Sequence, residues 1–270
     1  MKKLKQLFNF KSNQKLVGLK KINLTLSGLY LIQIVLLVIF PNNSWVSITT
    51  NYLAYDSLLS SGEKIVHSAG TSRLFDLNLL WVLVFVLGVS CILHLLFATK
   101  FKNKYESSLK SGGSNSIFNW ITYGFFSSLT ILIMALLSGV FDISSLVLIL
   151  SVSIFASVSS ALYYLRLNTD KHLAKTSFLI SIKATILPWL IILVYIIGTF
   201  VFGGNSISAW IYLVYLTVIL TQVALGYVYN QMNEKIGKWR DVLYSEKIYL
   251  GIIFISQTLV IWQIFLGSLR

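Results

Sequence analysis

Seven stretches of almost unbroken apolar side chains set the pattern of this chain, each near the twenty or so residues that an α-helix needs to cross a hydrocarbon core. They run Ile22–Phe40, Leu77–Thr99, Ile117–Phe141, Ile143–Leu165, Ser177–Phe202, Ser206–Asn230 and Tyr249–Leu269. The connections between them are short and polar, with one exception. Residues 41–76 form a long connection in which the turn-like "PNNS" leads into "SWVSITTNYLAY", rich in β-branched and aromatic residues. That composition suits a pleated, half-buried surface, and a short hairpin is expected there, with an irregular polar loop as the alternative. The expected fold is all-α, a seven-transmembrane helix bundle. Residues 1–270 read as one domain, with a basic N-terminal segment (1–21) and an external loop (41–76). No solenoid-type repeat is visible, and the only linker-like run is the short "KSGGSNS" between the second and third spans.

Composition agrees with this reading. Of the 270 residues, 56% are hydrophobic and 11% charged, against about 25% charged in an average soluble domain. The net charge of +13 is placed for topology rather than for nucleic acid. With the N-terminus inside, eighteen of the 22 Lys and Arg fall in residues 1–21, 100–116, 166–176 and 233–247, all on one side. Lys64, Arg73 and Arg270 fall on the other, and Lys183 lies within the fifth span. Basic residues in short loops mark the cytoplasmic face, which predicts a multi-pass protein of the cell membrane with the N-terminus cytoplasmic and the C-terminus external. The first span is too long for a signal peptide, and "FPNNSW" lacks the small-residue pattern of a cleavage site, so an uncleaved span is expected.

Little in the chain points to enzymatic chemistry. There is no His-Glu-x-x-His, no Gly-rich phosphate loop and no Gly-x-Ser-x-Gly, and His67 and His172 sit in connections without evident partners. The single cysteine, Cys91, excludes an intramolecular disulfide and a cysteine metal cluster, and its expected role is packing. No metal site is expected. Small residues at Ser153, Ala156, Ser157, Ser160 and Ala161 recur at spacings of three and four on the fourth span, which lets another backbone approach, either inside the bundle or between subunits. The ionisable groups read within the spans are His94 and Lys183, with no carboxylate among them; Asp142 falls at the external junction of the third and fourth spans.

The string "SEKIYLGIIFISQTLVIWQIFLG", Ser245 to Gly267, resembles the last helix of heliorhodopsins, seven-helix retinal proteins inverted in the membrane relative to other microbial rhodopsins. The resemblance extends to "LHLLF" with His94, "KYESSLK", "IFNWITYGFFSS", "ILPWLIILVYI" and "GKWRDVLYSE", in order and spacing, over most of residues 78–270. Helix one and the first loop match loosely. The resemblance implies a rhodopsin-like bundle with a small β-structured segment in the first external loop, acting as a lid and as a homodimer contact. It also implies a polar cavity on the cytoplasmic side of the chromophore, to which His94 and, from the first span, Tyr30 would contribute.

At two positions the chain departs from the family. The family's Schiff-base lysine is replaced by Gln257, and an amide cannot condense with an aldehyde. The family's glutamate counterion, between the Trp and Tyr of the third span, is replaced by Thr122 in "NWITY". Losing both charges together is coherent, since either alone would strand a charge in a low-dielectric interior. Retinal, the family's cofactor, is therefore not expected to form the usual Schiff base here. The leading expectation is a non-pumping, non-enzymatic membrane protein acting through partners or an apolar small molecule. The alternative is a photoreceptor holding retinal without a covalent bond or through a relocated Schiff base on Lys183. A channel or transporter ranks below both, because acidic residues in the spans and paired broken helices are missing.

The candidate ligand pocket comprises Trp120, Thr122, Tyr123, Pro188, Trp189, Lys183, His94, Gln222, Gln257 and Trp262. Pro188 leaves the Ala184 carbonyl without its helical donor and opens the pocket wall, and the aromatic residues would line a cavity for a flat apolar ligand. Ordinary packing is the alternative for those aromatics. Gln222 and Gln257 would pair as amides or contact the ligand. His94 would be a neutral ring bonded to Ser90 or a neighbouring helix, or else a proton relay. Lys183, five residues before Pro188 and about 9 Å into its span, would snorkel to the cytoplasmic headgroups or carry the relocated imine.

Overall fold

A computed structural model of the chain describes residues 2–40, 43–55, 66–112, 117–166, 169–203, 207–234 and 236–268, with side chains in the first helix from Gly18 onward. Pro41 and Asn42 of the expected turn, Lys64, Gly113–Ser116 of the linker, and Lys235 and Arg270 among the counted basic residues lie outside the described residues. Helix α1 (Lys2–Ile39) leads into strand β1 (Trp45–Tyr55), which pairs antiparallel with β2 (His67–Asn78). There follow α2 (Leu79–Ala98), α3 (Lys102–Gly112), α4 (Ile117–Leu137), α5 (Ile143–Arg166), α6 (Lys171–Phe202), α7 (Ala209–Glu234), a 3-10 turn at Gly237–Arg240, and α8 (Val242–Gly267). All of these helices except α3 are long and apolar enough to span a membrane, seven in total.

Two helices start well before their apolar stretches do. α6 begins at Lys171 because the Asp170 side chain accepts from the Leu173 amide, and α8 begins at Val242 because Asp241 accepts from the Leu243 amide. The cap, not the hydropathy, fixes where each helix begins. The difference matters most for α8, whose extra turns carry Glu246 into the protein. α3 was not anticipated from the sequence. It is a short polar helix that buries only Tyr105 and Leu109 among the side chains described.

Consecutive helices pack as neighbours, α1 on α2, α4 on α5, α5 on α6, and α7 on α8, while α1 also meets α8 to close the bundle. α6 and α7 make no extended contact among the described residues. The small residues of α5 face inward. The Ser181 hydroxyl donates to the Ala156 carbonyl (3.2 Å) and contacts Ser160 Oγ, while Ser127 and Ser157 hydroxyls lie 3.3 Å apart. At Gly124 a Cβ would come within 3.3 Å of Ser157 Cβ, so glycine sets the α4–α5 spacing. Outward positions such as Leu31, Ile32, Val194, Val201, Leu220 and Val223 are exposed apolar side chains, as lipid contact requires.

The hairpin is longer than the short one expected, with register from Trp45↔Asn78 to Tyr55↔His67 and a bulge between Ile48 and Thr49. It is tied to the bundle at Asp142. The Thr49 amide donates to the Phe141 carbonyl (2.9 Å), and the Asn51 amide donates to Asp142 Oδ1 (3.2 Å). Asp142 Oδ2 accepts from both the amide (2.9 Å) and the hydroxyl (3.0 Å) of Ser145, capping α5. One carboxylate thus joins hairpin and helix.

The Ser145 amide, foremost among several donors, holds the Asp142 carboxyl below its ordinary range. This contribution is complete at neutral pH and disappears as the pH falls through that lowered value. Asp142→Ala is expected to speed hydrogen exchange at the Asn51 amide about tenfold, the worth of one charge-assisted hydrogen bond, without changing exchange in α8. Unchanged exchange at Asn51 would show that the clamp is dispensable.

Candidate functional site

Gln257 sits less than one turn past the middle of α8 and is 1% exposed. Its amide is fully occupied. Tyr30 of α1 donates to Oε1 at 2.9 Å, and Nε2 donates to Ser90 Oγ of α2 at 2.6 Å and toward the Val86 carbonyl at 3.4 Å. The Ser90 hydroxyl in turn donates to the Val86 carbonyl (3.1 Å). Three helices therefore meet at one neutral side chain. One turn toward the C-terminus, Gln33 of α1 donates to Thr258 Oγ1 (3.1 Å) and accepts from Trp262 Nε1 (3.2 Å). Trp262 thus belongs to the α1–α8 seam.

The amide pair expected between Gln222 and Gln257 does not form, because α7 turns Gln222 toward α4. There Gln222 Oε1 accepts from the Tyr123 hydroxyl at 2.8 Å. Tyr123, Gln222, Trp120, Ser181, Thr185 and Tyr229 line a cavity of about 340 Å³ in the gap between α6 and α7. A smaller recess of about 40 Å³ beside it is lined by Pro188 and Trp189 as well as Tyr123 and Gln222. Trp120 stacks on Tyr229 with centroids 5.0 Å apart. Thr122 does not line either space, and its hydroxyl donates to the Phe118 carbonyl of its own helix (3.1 Å). Of the ten proposed pocket residues, the structure gathers Trp120, Tyr123, Gln222, Pro188 and Trp189 here, while Gln257, Trp262, His94, Thr122 and Lys183 lie apart.

His94 is bonded across to α1 and not to Ser90. Its Nδ1 lies 2.7 Å from Asn23 Oδ1, an arrangement that makes Nδ1 the donor, and its ring stacks on Tyr30 at 5.6 Å. The Asn23 side-chain amide donates to the Leu19 carbonyl at 3.1 Å. Tyr105 donates to Glu246 Oε1, Asn119 Nδ2 donates to Glu246 Oε2 at 2.6 Å, and Tyr249 donates to the Asn119 carbonyl at 2.7 Å. Burial first, then the Glu246 charge and hydrogen bond, raise the Tyr105 phenol well above its ordinary range, so it keeps its proton and remains the donor. His94 is thus tied to Asn23 of α1, and Glu246 to Tyr105 of α3 and Asn119 of α4.

Glu246 corrects the expectation that no carboxylate lies within the spans. It is completely buried in α8, and no ion pair among the described residues includes it. Its absence from the apolar window, which starts at Tyr249, hid it. The usable signals were Asp241, a capping residue five positions earlier, and the i, i+3 spacing of Glu246 and Tyr249, which puts both on one helical face.

Lys183 is exposed on α6. Counting back from Phe202, it lies about 28 Å along the helix, close to the thickness of a hydrocarbon core. The 32-residue α6 is longer than a bilayer needs, so Lys183 can sit at the boundary with its ammonium in the headgroups. No trio of His, Cys, Asp or Glu side chains suited to a metal occurs among the described residues.

Among the comparisons with known proteins, a profile described as Heliorhodopsin matches residues 19–269. No curated protein matches the chain.

Removing the Glu246 carboxyl strands two buried donors at about 1–3 kcal/mol each. Glu246→Ala is therefore expected to lower stability by several kcal/mol, read as a clear fall in the thermal unfolding midpoint in detergent. Glu246→Gln keeps the shape and one acceptor oxygen and should lose less than half as much. Equal losses in the two variants would show that packing, not hydrogen bonding, governs this position.

Proposed function

We propose, since the chain belongs to the heliorhodopsin family, that it is a non-enzymatic, non-pumping member that does not form the retinal Schiff base of the last span and acts through partners or an apolar ligand. The observation that carries this reading is the Gln257 amide, whose donors and acceptor are all engaged by α1 and α2. The position that would bear the reactive amine is a neutral crosslink. Thr122, bonded within its own helix, supplies no counterion there. Retinal is the cofactor that the family implies. In this chain an amine at the usual place is missing, and the residues around position 257 fit a helix joint better than an imine.

A second reading is favoured by the cavity between α6 and α7. Its aromatic walls and the Tyr123–Gln222 hydrogen bond suit a flat apolar molecule held without a covalent bond. A relocated Schiff base on Lys183 is less consistent with the geometry, because that side chain is exposed. We treat residues 1–270 as a single domain with a cytoplasmic N-terminus and an external C-terminus, on the strength of the uneven distribution of basic residues. Tyr52, Leu53 and Tyr55, exposed on the hairpin, support a homodimer contact there.

Purified protein mixed with all-trans-retinal is expected to show no visible band that hydroxylamine bleaches, and borohydride reduction should leave no retinyl group on any lysine peptide. A bleachable pigment would overturn the proposal. A retinyl group on the Lys183 peptide would assign the relocated imine.

A further inference from the structure

A groove of about 540 Å³ on the outer face of α4 has almost wholly apolar walls and offers an occupant almost no polar contact. The cavity between α6 and α7 does offer one. At about 340 Å³ it falls within the range of small-molecule sites, about 300–1,000 Å³. Phe178, Ile182 and Ile186 wall it while remaining nearly half exposed, so it opens sideways toward lipid. On the α7 side Gly226 lines it, and a Cβ added there would meet nothing within 4 Å.

The polar side chains around Gln222 have spent their protons. Thr185 donates to the Ser181 carbonyl (2.8 Å), Ser181 donates to the Ala156 carbonyl (3.2 Å), and Ser160 is left to donate to Ser181. Tyr123 donates to Gln222 Oε1 at 2.8 Å. Trp120 Nε1 and the Tyr229 hydroxyl are sealed from the space. The Gln222 nitrogen is different. It carries two N–H groups and makes no hydrogen bond among the described residues. Nor is it sealed, because the half-buried Gln222 lines both the cavity and the recess beside it. Gln222 lies near the middle of the α7 span, Ala209–Met232, where lipid supplies no acceptor. The partner that answers it has to enter from the membrane.

We propose that the α6–α7 cavity binds a flat, neutral, conjugated ketone, a quinone-like ring, whose carbonyl oxygen accepts from Gln222 Nε2. The free group is a donor, so the ligand must bring an acceptor. A carbonyl accepts without adding a proton that would need a partner of its own. No Lys, Arg, His, Asp or Glu lines the cavity, and a carboxylate would enter without a counterion. A phospholipid keeps its ester oxygens at the headgroups and leaves the nitrogen unanswered at this depth. So does the hydrocarbon ring of retinal. Flatness follows from the walls. Trp120 and Tyr229 stack nearly parallel, with centroids 5.0 Å and planes 11° apart, and Phe178 lies against Tyr163 at 5.1 Å. Aromatic faces of this kind favour a conjugated ring over a saturated one. An apolar tail on that ring has a way out into lipid past Ile182, Ile186 and Gly226. This inference rests on the reading that the cavity takes a flat apolar molecule without a covalent bond, and adds the oxygen that the molecule must carry.

The test uses the full chain in lipid nanodiscs with two probes of one shape, anthraquinone and anthracene, the second lacking the oxygens. Isotope-edited infrared spectra read the quinone, because a carbonyl that accepts a hydrogen bond absorbs at lower frequency than one dissolved in lipid. Energy transfer from tryptophan reads anthracene and its displacement by the quinone. A lowered carbonyl band is expected with the unmodified protein. Gln222→Met keeps the bulk and removes the amide. It should abolish that band and weaken the quinone about tenfold as a competitor, the most that one net hydrogen bond is worth, while anthracene binds as before. Gly226→Leu adds bulk where the structure has open space and favours the helix, and it should exclude both probes. A quinone that shows no lowered band, or keeps it in Gln222→Met, would overturn the inference, and anthracene bound in a manner that Gly226→Leu abolishes would then leave the flat-ligand reading standing. Absence of both probes from the unmodified protein would overturn that reading as well.

Discussion

Hydrocarbon offers no hydrogen-bond partner, so a polar group buried in this bundle is costly unless another of its own answers it. The Gln257 amide answers that demand at the meeting point of three helices. Its oxygen takes the Tyr30 hydroxyl and its nitrogen serves Ser90 and the Val86 carbonyl. Tyr30 is also stacked on His94, which is bonded to Asn23. Below and above this layer the same seam is repeated, with Ser27 donating to the Cys91 carbonyl at 3.1 Å and Gln33 linking Thr258 and Trp262. Polar contacts of this kind are worth about 1 kcal/mol each in membranes, modest singly, but they fix the rotation of α1 against α2 and α8.

The rest of the bundle is assembled differently. α4, α5 and α6 pack through glycine and serine, with close approach doing what amides do on the other side. Between the two halves stand α7 and the gap that it leaves against α6. The ends are clamped by carboxyl groups, Asp142 joining the hairpin to α5 outside the spans and Glu246 joining α3, α4 and α8 at the opposite end. The bundle is pinned at both ends and along one seam, and the cavity between α6 and α7 lies on the remaining side.

How much of this could be read from the residues follows from the range of each signal. The seven spans were legible because a run of twenty apolar residues has few other uses, and the hairpin because β-branched and aromatic residues concentrate between two spans. The structure agrees with both. Gln257 stood out as a position, but its partners did not. Pairing it with Gln222 matched chemistry with chemistry, whereas the rotation of α7 sends Gln222 to Tyr123. Rotation is set by packing around the whole circumference and leaves little trace in one sequence. Glu246 was hidden for a simpler reason: it precedes the apolar window, and its partner Tyr105 sits on a polar helix that hydropathy reads as a loop.

Gln257 and Thr122 differ in how their surroundings hold them. Thr122 turns back on its own helix, where its hydroxyl donates to the Phe118 carbonyl. Gln257 is instead built into its surroundings. A lysine there would offer donors only, and the Tyr30 hydroxyl, now donating to the amide oxygen, would have to reverse its role or lose its partner. An amide, being both donor and acceptor, satisfies Tyr30 and Ser90 together. Glutamine at 257 therefore has a structural task as a three-helix joint, and the open spaces described above lie away from it, between α6 and α7 and along the outer face of α4.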